Sequence, residues 1–215
     1  KDHRGIQPDA SVPLNAFVVS IVDKRCGDDM KNSCLILVDL QNDYYPGGNM
    51  ELVGILEATA NAQILLNEFR KLKLTIIHIQ HISPRPGAAF FLPETEGAKI
   101  NHAVAPREDE IVVVKNFPNG FRGTALMEIL KKEKADNLII CGAMSHMCID
   151  ATTRAAFDLG FECVVAEDAC ATRDLVFRNR TIHASDVHAS FMAALSIPYA
   201  RVISTREIIE TTLSH

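Results

Sequence analysis

Residues 137–160, "NLIICGAMSHMCIDATTRAAFDLG", change from one secondary-structure pattern to another along their length. Residues 137–142 form a short apolar run that is typical of a buried strand. From about residue 147 to residue 159 the spacing of apolar residues predicts a helix, and Gly160 follows as the kind of residue that ends one. A fully apolar strand that leads directly into a helix is typical of a parallel sheet covered by helices.

The same alternation runs through most of the chain. Further strands are predicted at residues 34–40, 75–80, 110–115, 162–168 and 200–204, with helices at residues 55–72, 124–135 and 184–196. Because the strands are nearly all apolar, both faces of the sheet should be buried. We therefore predict a doubly wound α/β fold with a mostly parallel sheet flanked by helices on both faces, a Rossmann-like three-layer sandwich. No repeat or long linker divides it, so residues 30–215 are predicted to form a single domain.

Residues 1–29 stand apart from this pattern. They contain the apolar run "AFVVSIV" at residues 16–22, which is too short and wrongly flanked for a convincing signal peptide. Met30 then precedes "KNSCLILVDLQND", which resembles an ordinary native start. Our hypothesis is that residues 1–29 are an N-terminal extension added to the native chain, able to contribute an edge strand.

Composition excludes several classes of function. The chain has 215 residues, of which 47% are hydrophobic, and a formal net charge of −5. It contains no basic tract that would follow a phosphate backbone and no apolar run that would span a bilayer, so neither nucleic acid nor membrane is an expected partner. The cysteines include Cys34, Cys141 and Cys163 in apolar strand-like runs, and no pair has C-x-x-C spacing. We infer free thiols and a cytoplasmic location.

Three polar residues end three different predicted strands. Asp39 follows "LILV", Lys115 follows "IVVV", and Cys148 follows the strand and turn "LIICGAMSHM". The carboxyl ends of parallel strands meet at one edge of the sheet, where α/β proteins bind ligands. A base, a cation and a thiol at that edge are the groups that nucleophilic catalysis by cysteine requires. A position near a helix start would also favour the thiolate.

Each of these residues also has an ordinary structural explanation. Cys148 could be one more small apolar residue in the core. Asp39 could cap the following turn "QNDYYPGG", a role for which Asp43 competes. Lys115 could be a solvated strand end. The functional interpretation depends on the three occurring together.

The resemblance to a known family enters at these residues. The segments "LILVDLQNDYYPGG", "VVVKNFPNGFRGTAL" and "CGAMSHMCIDATTRAAFDLGFECVVAEDACAT" resemble the three signature blocks of the isochorismatase-like cysteine hydrolases. That superfamily includes nicotinamidases and N-carbamoylsarcosine amidases. The resemblance extends from about Met30 to the end of the chain, with the blocks in the family's order.

The resemblance implies a catalytic triad of Asp39, Lys115 and Cys148. Asp39 would take the thiol proton and later pass it to the leaving amine, and Lys115 would keep Asp39 ionised and stabilise the thiolate. It also implies a cis peptide bond between Ala143 and Met144, with the backbone N–H groups of Met144 and Cys148 forming an oxyanion hole. No cofactor is implied.

The sequence departs from two branches of the superfamily. Nicotinamidases resemble one another in an Asp-x-His motif that binds a metal, but this region reads "HIQHISPRPGAAFF" here, so we assign no metal ligand. His78 and His81 are expected to point to opposite faces of a strand, one packed and one facing the cleft. Isochorismatases proper lack the nucleophilic cysteine, so Cys148 favours acyl chemistry on a C–N bond.

Other assignments rest on position alone. Candidate substrate contacts in the loops at this edge are Gln41, Tyr44, His81 and Phe121. For His183 and His188, beside a late helix start, we expect surface or interface roles. Apolar helix surfaces indicate a homo-oligomer, a dimer or a tetramer.

The sequence thus predicts a cysteine hydrolase that cleaves a C–N bond of a small amide-like substrate through a thioester. Two alternatives stay open at this point. One is a metal-dependent nicotinamidase. The other is a non-catalytic binding or redox-sensing member of the superfamily.

Overall fold

A six-stranded parallel sheet forms the centre of the protein, in the strand order β3-β2-β1-β4-β5-β8. A computed structural model describes residues 32–213, so the hypothesis about residues 1–29 lies outside the described residues. The strands of the described region are β1 (Ser33–Val38), β2 (Thr75–His81), β3 (Ile111–Lys115), β4 (Asn137–Ala143), β5 (Glu162–Ala171), β6 (Leu175–Phe177), β7 (Arg180–Ile182) and β8 (Arg201–Ile203). Strands β6 and β7 form a separate antiparallel hairpin.

Helices cover both faces of the sheet. They are α1 (Ile55–Leu72), α2 (Leu126–Lys132), α3 (Asp150–Asp158), α4 (Ala184–Leu195) and α5 (Thr205–Thr212). A π-helical turn (Ser145–Ile149) precedes α3. No helix among residues 32–213 is both long enough and apolar enough to cross a membrane.

Alternate residues along each strand enter two separate cores. In β1, Leu35 and Leu37 pack in the core that contains the buried residues of α1 and α5. Cys34, Ile36 and Val38 face the other side, where the core includes residues of α2, α3 and α4. Because successive strand residues point to opposite faces, a strand buried on both sides must be apolar throughout. The predicted three-layer α/β sandwich is confirmed.

The end of β1 differs from the prediction, and two elements of the structure were not predicted. β1 ends at Val38 rather than at residue 40, because Asp39 adopts a left-handed backbone with φ of 52°. The β6–β7 hairpin was not predicted, since its turn uses left-handed Arg178 and Asn179 instead of a glycine signal. Helix α5 was not predicted either, although Ser204 and Glu207 form a capping box whose S-x-x-E pattern is visible in the sequence.

Gly142 allows strand β4 to approach β1 more closely than any side chain would permit. It has φ of 123°, and a Cβ atom there would lie 2.0 Å from the carbonyl oxygen of Val38. A substitution must therefore displace backbone in the central pair of strands. Gly142 is required by this contact and not only by its own conformation.

We expect Gly142→Ala to lower the free energy of unfolding by about 2 kcal/mol or more, because it combines a backbone clash with a strained φ. The matched control is Gly160→Ala, since Gly160 also has positive φ (93°) but a Cβ there would meet nothing within 4 Å. The control should cost only about 1–2 kcal/mol. Urea denaturation of both variants measures the difference, and equal losses would show that the Val38 contact does not matter.

Candidate active site

The carboxyl ends of β1, β2, β3 and β4 bring the predicted residues together at one edge of the sheet. Lys115 ends β3, beside His81 at the end of β2. Asp39 directly follows β1, and its N–H donates to the carbonyl of Ile79 in β2 at 3.0 Å. Cys148 follows β4 in the π-helical turn. Neighbouring parallel strands thus deliver side chains from distant parts of the chain to one place.

The ammonium group of Lys115 lies at the centre of this arrangement. Lys115 Nζ is 2.7 Å from Asp39 Oδ2, 2.9 Å from His81 Nδ1 and 3.2 Å from Cys148 Sγ. An ammonium has three N–H donors and no acceptor, so all three donors are used. Burial lowers the pKa of Lys115, but Asp39 and Cys148 outweigh burial and the net pKa is raised. The side chain is therefore charged at neutral pH.

Asp39 holds Lys115 with one carboxylate oxygen and keeps the other free. Both side chains of this ion pair are 0% exposed. Oδ1 of Asp39 is buried and has no hydrogen-bond partner among residues 32–213. The Asp39 carboxylate lies within 4.8 Å of Cys148 Sγ. An unpartnered carboxylate oxygen beside a thiol is suitably placed to accept its proton.

Asp43 caps the turn after β1. Capping this turn is the structural role that was the alternative explanation for Asp39. Asp43 is buried, and its Oδ1 accepts from the side-chain amide of Asn49 at 2.9 Å. Its Oδ2 accepts from the N–H of Phe91 at 2.6 Å. Asp43 thus organises the loops, and Asp39 contacts Lys115 instead.

Cys148 sits in an irregular connection and not in the first turn of α3. The peptide bond between Ala143 and Met144 is cis, and Ser145–Ile149 then form the π-helical turn. The carbonyl of Met144 accepts from the N–H groups of Met147 and Ile149. The sequence placed a helix start at about residue 147, whereas α3 begins at Asp150. The π-helical turn, and not α3, therefore carries the Cys148 sulfur that lies 3.2 Å from Lys115 Nζ.

The surroundings of Cys148 favour the thiol over the thiolate. Burial raises the pKa of Cys148 and the charge of Asp39 raises it further, while Lys115 opposes both. Burial also raises the pKa of Cys34, Cys141, Cys163 and Cys170. Cys148 differs from them because it contacts an ammonium and lies beside a carboxylate. Its activation thus requires transfer of the proton to a base.

His81 is neutral and has a defined tautomer. Since an ammonium can only donate, His81 Nδ1 must accept from Lys115, and the ring proton is on Nε2. Burial lowers the pKa of His81 to about 4, and the charge of Lys115 contributes in the same direction. The Nε2–H group is therefore a donor at neutral pH. His78 faces α1 instead, where its Nε2 lies 2.8 Å from Glu110 Oε2.

The lowered pKa of His81 predicts an effect of acid on stability. The folded state resists protonation of His81 down to about pH 4, whereas an unfolded chain takes up the proton at the ordinary value of 6.5. Unfolding therefore binds a proton between these values, and stability falls as the pH falls from 6.5 towards 4. Urea denaturation should show a smaller loss over this range in His81→Asn than in the wild type. An identical loss in both proteins would contradict the assignment.

The donor set resembles a metal site, but its centre is taken by a cation of the protein. Asp39, His81 and Cys148 each offer a ligand atom, and these atoms lie within 4.8 Å of one another. A carboxylate, an imidazole and a thiolate would suit Zn²⁺. Lys115 Nζ already donates to all three. A divalent ion bound to these three atoms would lie against the Lys115 ammonium, and the two positive charges would repel each other. The residues therefore do not fit a metal while Lys115 is charged.

The remaining predicted contacts divide into three cases. Tyr44 lies at the site: burial raises its pKa, and the charges of Cys148 and Asp39 raise it further. Gln41 is buried, and its side-chain amide bonds the backbone N–H and C=O of His81 and the carbonyl of Ala98, so it positions His81. Phe121 is not brought to the site. It stacks on Phe161, which precedes β5 and so lies towards the opposite edge of the sheet.

Sequence reasoning missed the support of the nucleophile loop by α4. His188 Nδ1 lies 2.9 Å from the hydroxyl of buried Ser145, and that hydroxyl also donates to the carbonyl of Ala171. His188 is partly exposed, so the surface or interface role expected for it stays a prediction beside this contact, and His183 is exposed. Tyr44, Phe90 and Phe91 form an aromatic wall, in which the ring centroids of Tyr44 and Phe91 are 4.6 Å apart.

The fold and the side-chain cluster define a class of three-layer α/β proteins with a buried aspartate, lysine and cysteine at the carboxyl edge of a parallel sheet. Residues 33–207 match the family model of the isochorismatase domain. The uncharacterized isochorismatase family protein YddQ of Bacillus subtilis is 44% identical over 178 residues, which are 83% of this chain and 99% of that protein.

Other relatives agree with this match. A solved structure from Oleispira antarctica, assigned as an isochorismatase hydrolase, has a TM-score of 0.81 and 48% identity, and the match covers 84% of this chain and 97% of that one. Streptothricin hydrolase of Streptomyces noursei is 34% identical over 143 residues, 66% of this chain and 50% of that protein. The chain belongs to the isochorismatase family, whose members are hydrolases.

Proposed function

We propose that the protein is a cysteine hydrolase that cleaves a C–N bond of a small amide-like substrate through a thioester intermediate. The observation that carries the proposal is the Lys115 ammonium, which contacts Cys148 Sγ and Asp39 Oδ2 while Asp39 Oδ1 has no partner in the described region. This arrangement supplies a nucleophile, a base and a charge that stabilises the thiolate.

The first half of the reaction forms the thioester. Asp39 Oδ1 takes the proton from the Cys148 thiol as the sulfur attacks the amide carbon, and Lys115 stabilises the negative sulfur. The backbone N–H groups of Met144 and Cys148 bind the oxyanion of the tetrahedral intermediate. Asp39 then gives its proton to the amide nitrogen, the C–N bond breaks, and ammonia or an amine leaves.

The second half releases the acid. Asp39, again ionised, takes a proton from a water molecule that attacks the thioester carbon. The second tetrahedral intermediate expels the Cys148 sulfur, which recovers the proton from Asp39. The donor group of His81, Nε2–H, faces no described protein partner and is proposed to bind an acceptor atom of the substrate.

The proposal is tested by measuring ammonia release from a panel of small amides, ureides and lactams, with nicotinamide included. We expect turnover of at least one compound that survives treatment of the enzyme with a chelator. Activity confined to nicotinamide and lost with the chelator would instead favour the metal-dependent nicotinamidase. No turnover across the panel would count against the proposal.

A non-catalytic binding protein is distinguished by the reactivity of its cysteines. Mass spectrometry after limited treatment with iodoacetamide reports which thiol is alkylated first. In a cysteine hydrolase Cys148 should react before Cys34 and Cys163, because only Cys148 among these lies beside a base and a cation. Equal, slow labelling of all three would favour the non-catalytic alternative.

The homo-oligomer and the cytoplasmic location also stay predictions. All five cysteines of the described region are free, in keeping with a reducing compartment. Val176 and Phe177 in the β6–β7 hairpin are exposed apolar residues that another copy of the chain would cover. Light scattering of the Val176→Ser/Phe177→Ser variant would show whether the hairpin holds an oligomer together.

A further inference from the structure

Arg173 lies at the rim of the proposed active site, where three segments meet. It follows Thr172, whose Oγ1 is 2.6 Å from Nδ1 of His146 in the loop that carries Cys148. The carbonyl of Thr172 accepts from the N–H of Val53 at 2.9 Å. The guanidinium of Arg173 reaches Sδ of Met50, in the loop that carries Tyr44. Arg173 thus stands between the nucleophile loop and the aromatic wall.

The guanidinium of Arg173 has no anionic partner in the described part of the chain. A thioether is a weak acceptor, yet Met50 Sδ is the only hydrogen-bond partner of Arg173 within residues 32–213. Other partly buried arginines of the protein hold carboxylates: Arg70 binds Glu110 and Arg154 binds Asp150. A half-buried, planar, charged group with five donors normally finds such a partner. At Arg173 the residues that the structure describes supply none.

The charge of Arg173 acts on the groups that line the site. Burial lowers the pKa of His146, and Arg173 lowers it further. Burial raises the pKa of Tyr44, the charges of Cys148 and Asp39 add to the increase, and Arg173 opposes it. Tyr44 is therefore close to both the nucleophile and the guanidinium. A ligand lying along Tyr44 would reach from one to the other.

We propose that Arg173 binds a carboxylate of the substrate, so that the preferred substrates are small amides with an anionic group beyond the scissile C–N bond. The planar fork of the guanidinium matches a carboxylate with two parallel hydrogen bonds. Tyr44 provides the apolar contact between the anionic end and the amide. This inference rests on the proposed function, because it takes Cys148 as the reacting end of the site.

The experiment compares primary amides that end in a carboxylate, from malonamate to adipamate, with alkyl amides of matched length. Binding to Cys148→Ala is measured by calorimetry, and kcat and KM of the wild type by ammonia release. We expect one chain length to show a preference of about tenfold or more for the carboxylate. Arg173→Met should remove that preference by raising KM for the carboxylate amides, and Arg173→Lys should restore part of it.

Arg206→Met is the matched control for loss of one positive charge, because Arg206 is exposed and paired with Glu210 on α5. It should keep the preference. The proposal is wrong if no chain length binds better with a carboxylate, or if the preference persists in Arg173→Met. The calorimetric arm needs no turnover, so it tests Arg173 even if Cys148 proves not to be a nucleophile.

Discussion

Replacing Cys148 by alanine is expected to abolish turnover while leaving the fold intact. The sulfur is the only described group that contacts the Lys115 ammonium and is able to form a thioester. Without it the Asp39–Lys115 ion pair can still form, but no covalent intermediate is made. We expect kcat to fall about 10⁴-fold or more. Cys148→Ser should fall nearly as far, because a hydroxyl loses its proton far less readily than a thiol.

The control for Cys148→Ala is Cys163→Ala. Cys163 is also buried, but it lies in β5 within the core between the sheet and α2–α4. The control should keep full kcat and lose some stability, since a small cavity is created. Thermal unfolding should place both variants within a few degrees of the wild type. A Cys148→Ala protein that retains its activity would remove the basis of the mechanism.

Replacing Lys115 by methionine is expected to reduce both activity and stability. Lys115 and Asp39 are fully buried, so the variant leaves an unpaired carboxylate in the protein interior. Breaking a buried pair in this way costs about 3–5 kcal/mol of unfolding free energy. Activity should be lost as well, because nothing then stabilises the thiolate or fixes the tautomer of His81. Urea denaturation and ammonia release measure the two effects.

The double variant Asp39→Asn/Lys115→Met separates these two losses. It removes both buried charges, so it should recover much of the stability lost in Lys115→Met. It should recover no activity, because the base is gone. If Lys115→Met alone is as stable as the wild type, the Lys115–Asp39 contact does not hold this edge of the sheet together.

The triad cluster was predictable because it depends on simple geometry. Asp39, Lys115 and Cys148 each follow an apolar run, and parallel strands present their carboxyl ends at one edge. The two-sided core follows from the same pattern, because strands that are apolar throughout must be buried on both faces. What sequence could not give is the direction of a loop side chain. Phe121 belongs to a loop at this edge, yet it turns away to stack on Phe161.

Contacts between distant segments were also beyond the sequence. His188 reaches Ser145 from α4, and Arg173 reaches Met50 from the end of β5. Such pairs are far apart in the chain and carry no periodic signal. The π-helical turn was hidden for a different reason, because its residues are also compatible with an ordinary helix start. The features of the site that the sequence does not predict are therefore those that depend on tertiary packing.

The Asp43 carboxylate has a consequence for how this protein could be redesigned. The chemistry is anchored at the strand ends, whereas Tyr44, Phe90 and Phe91 come from loops. Asp43 bonds Asn49 and Phe91, and a Cβ at Gly97 would lie 2.1 Å from Asp43 Oδ1. The loop after β1 and the loop after β2 are thus interlocked. Transplanting either loop alone should fail, whereas exchanging both as one cassette would change substrate choice and preserve the chemistry.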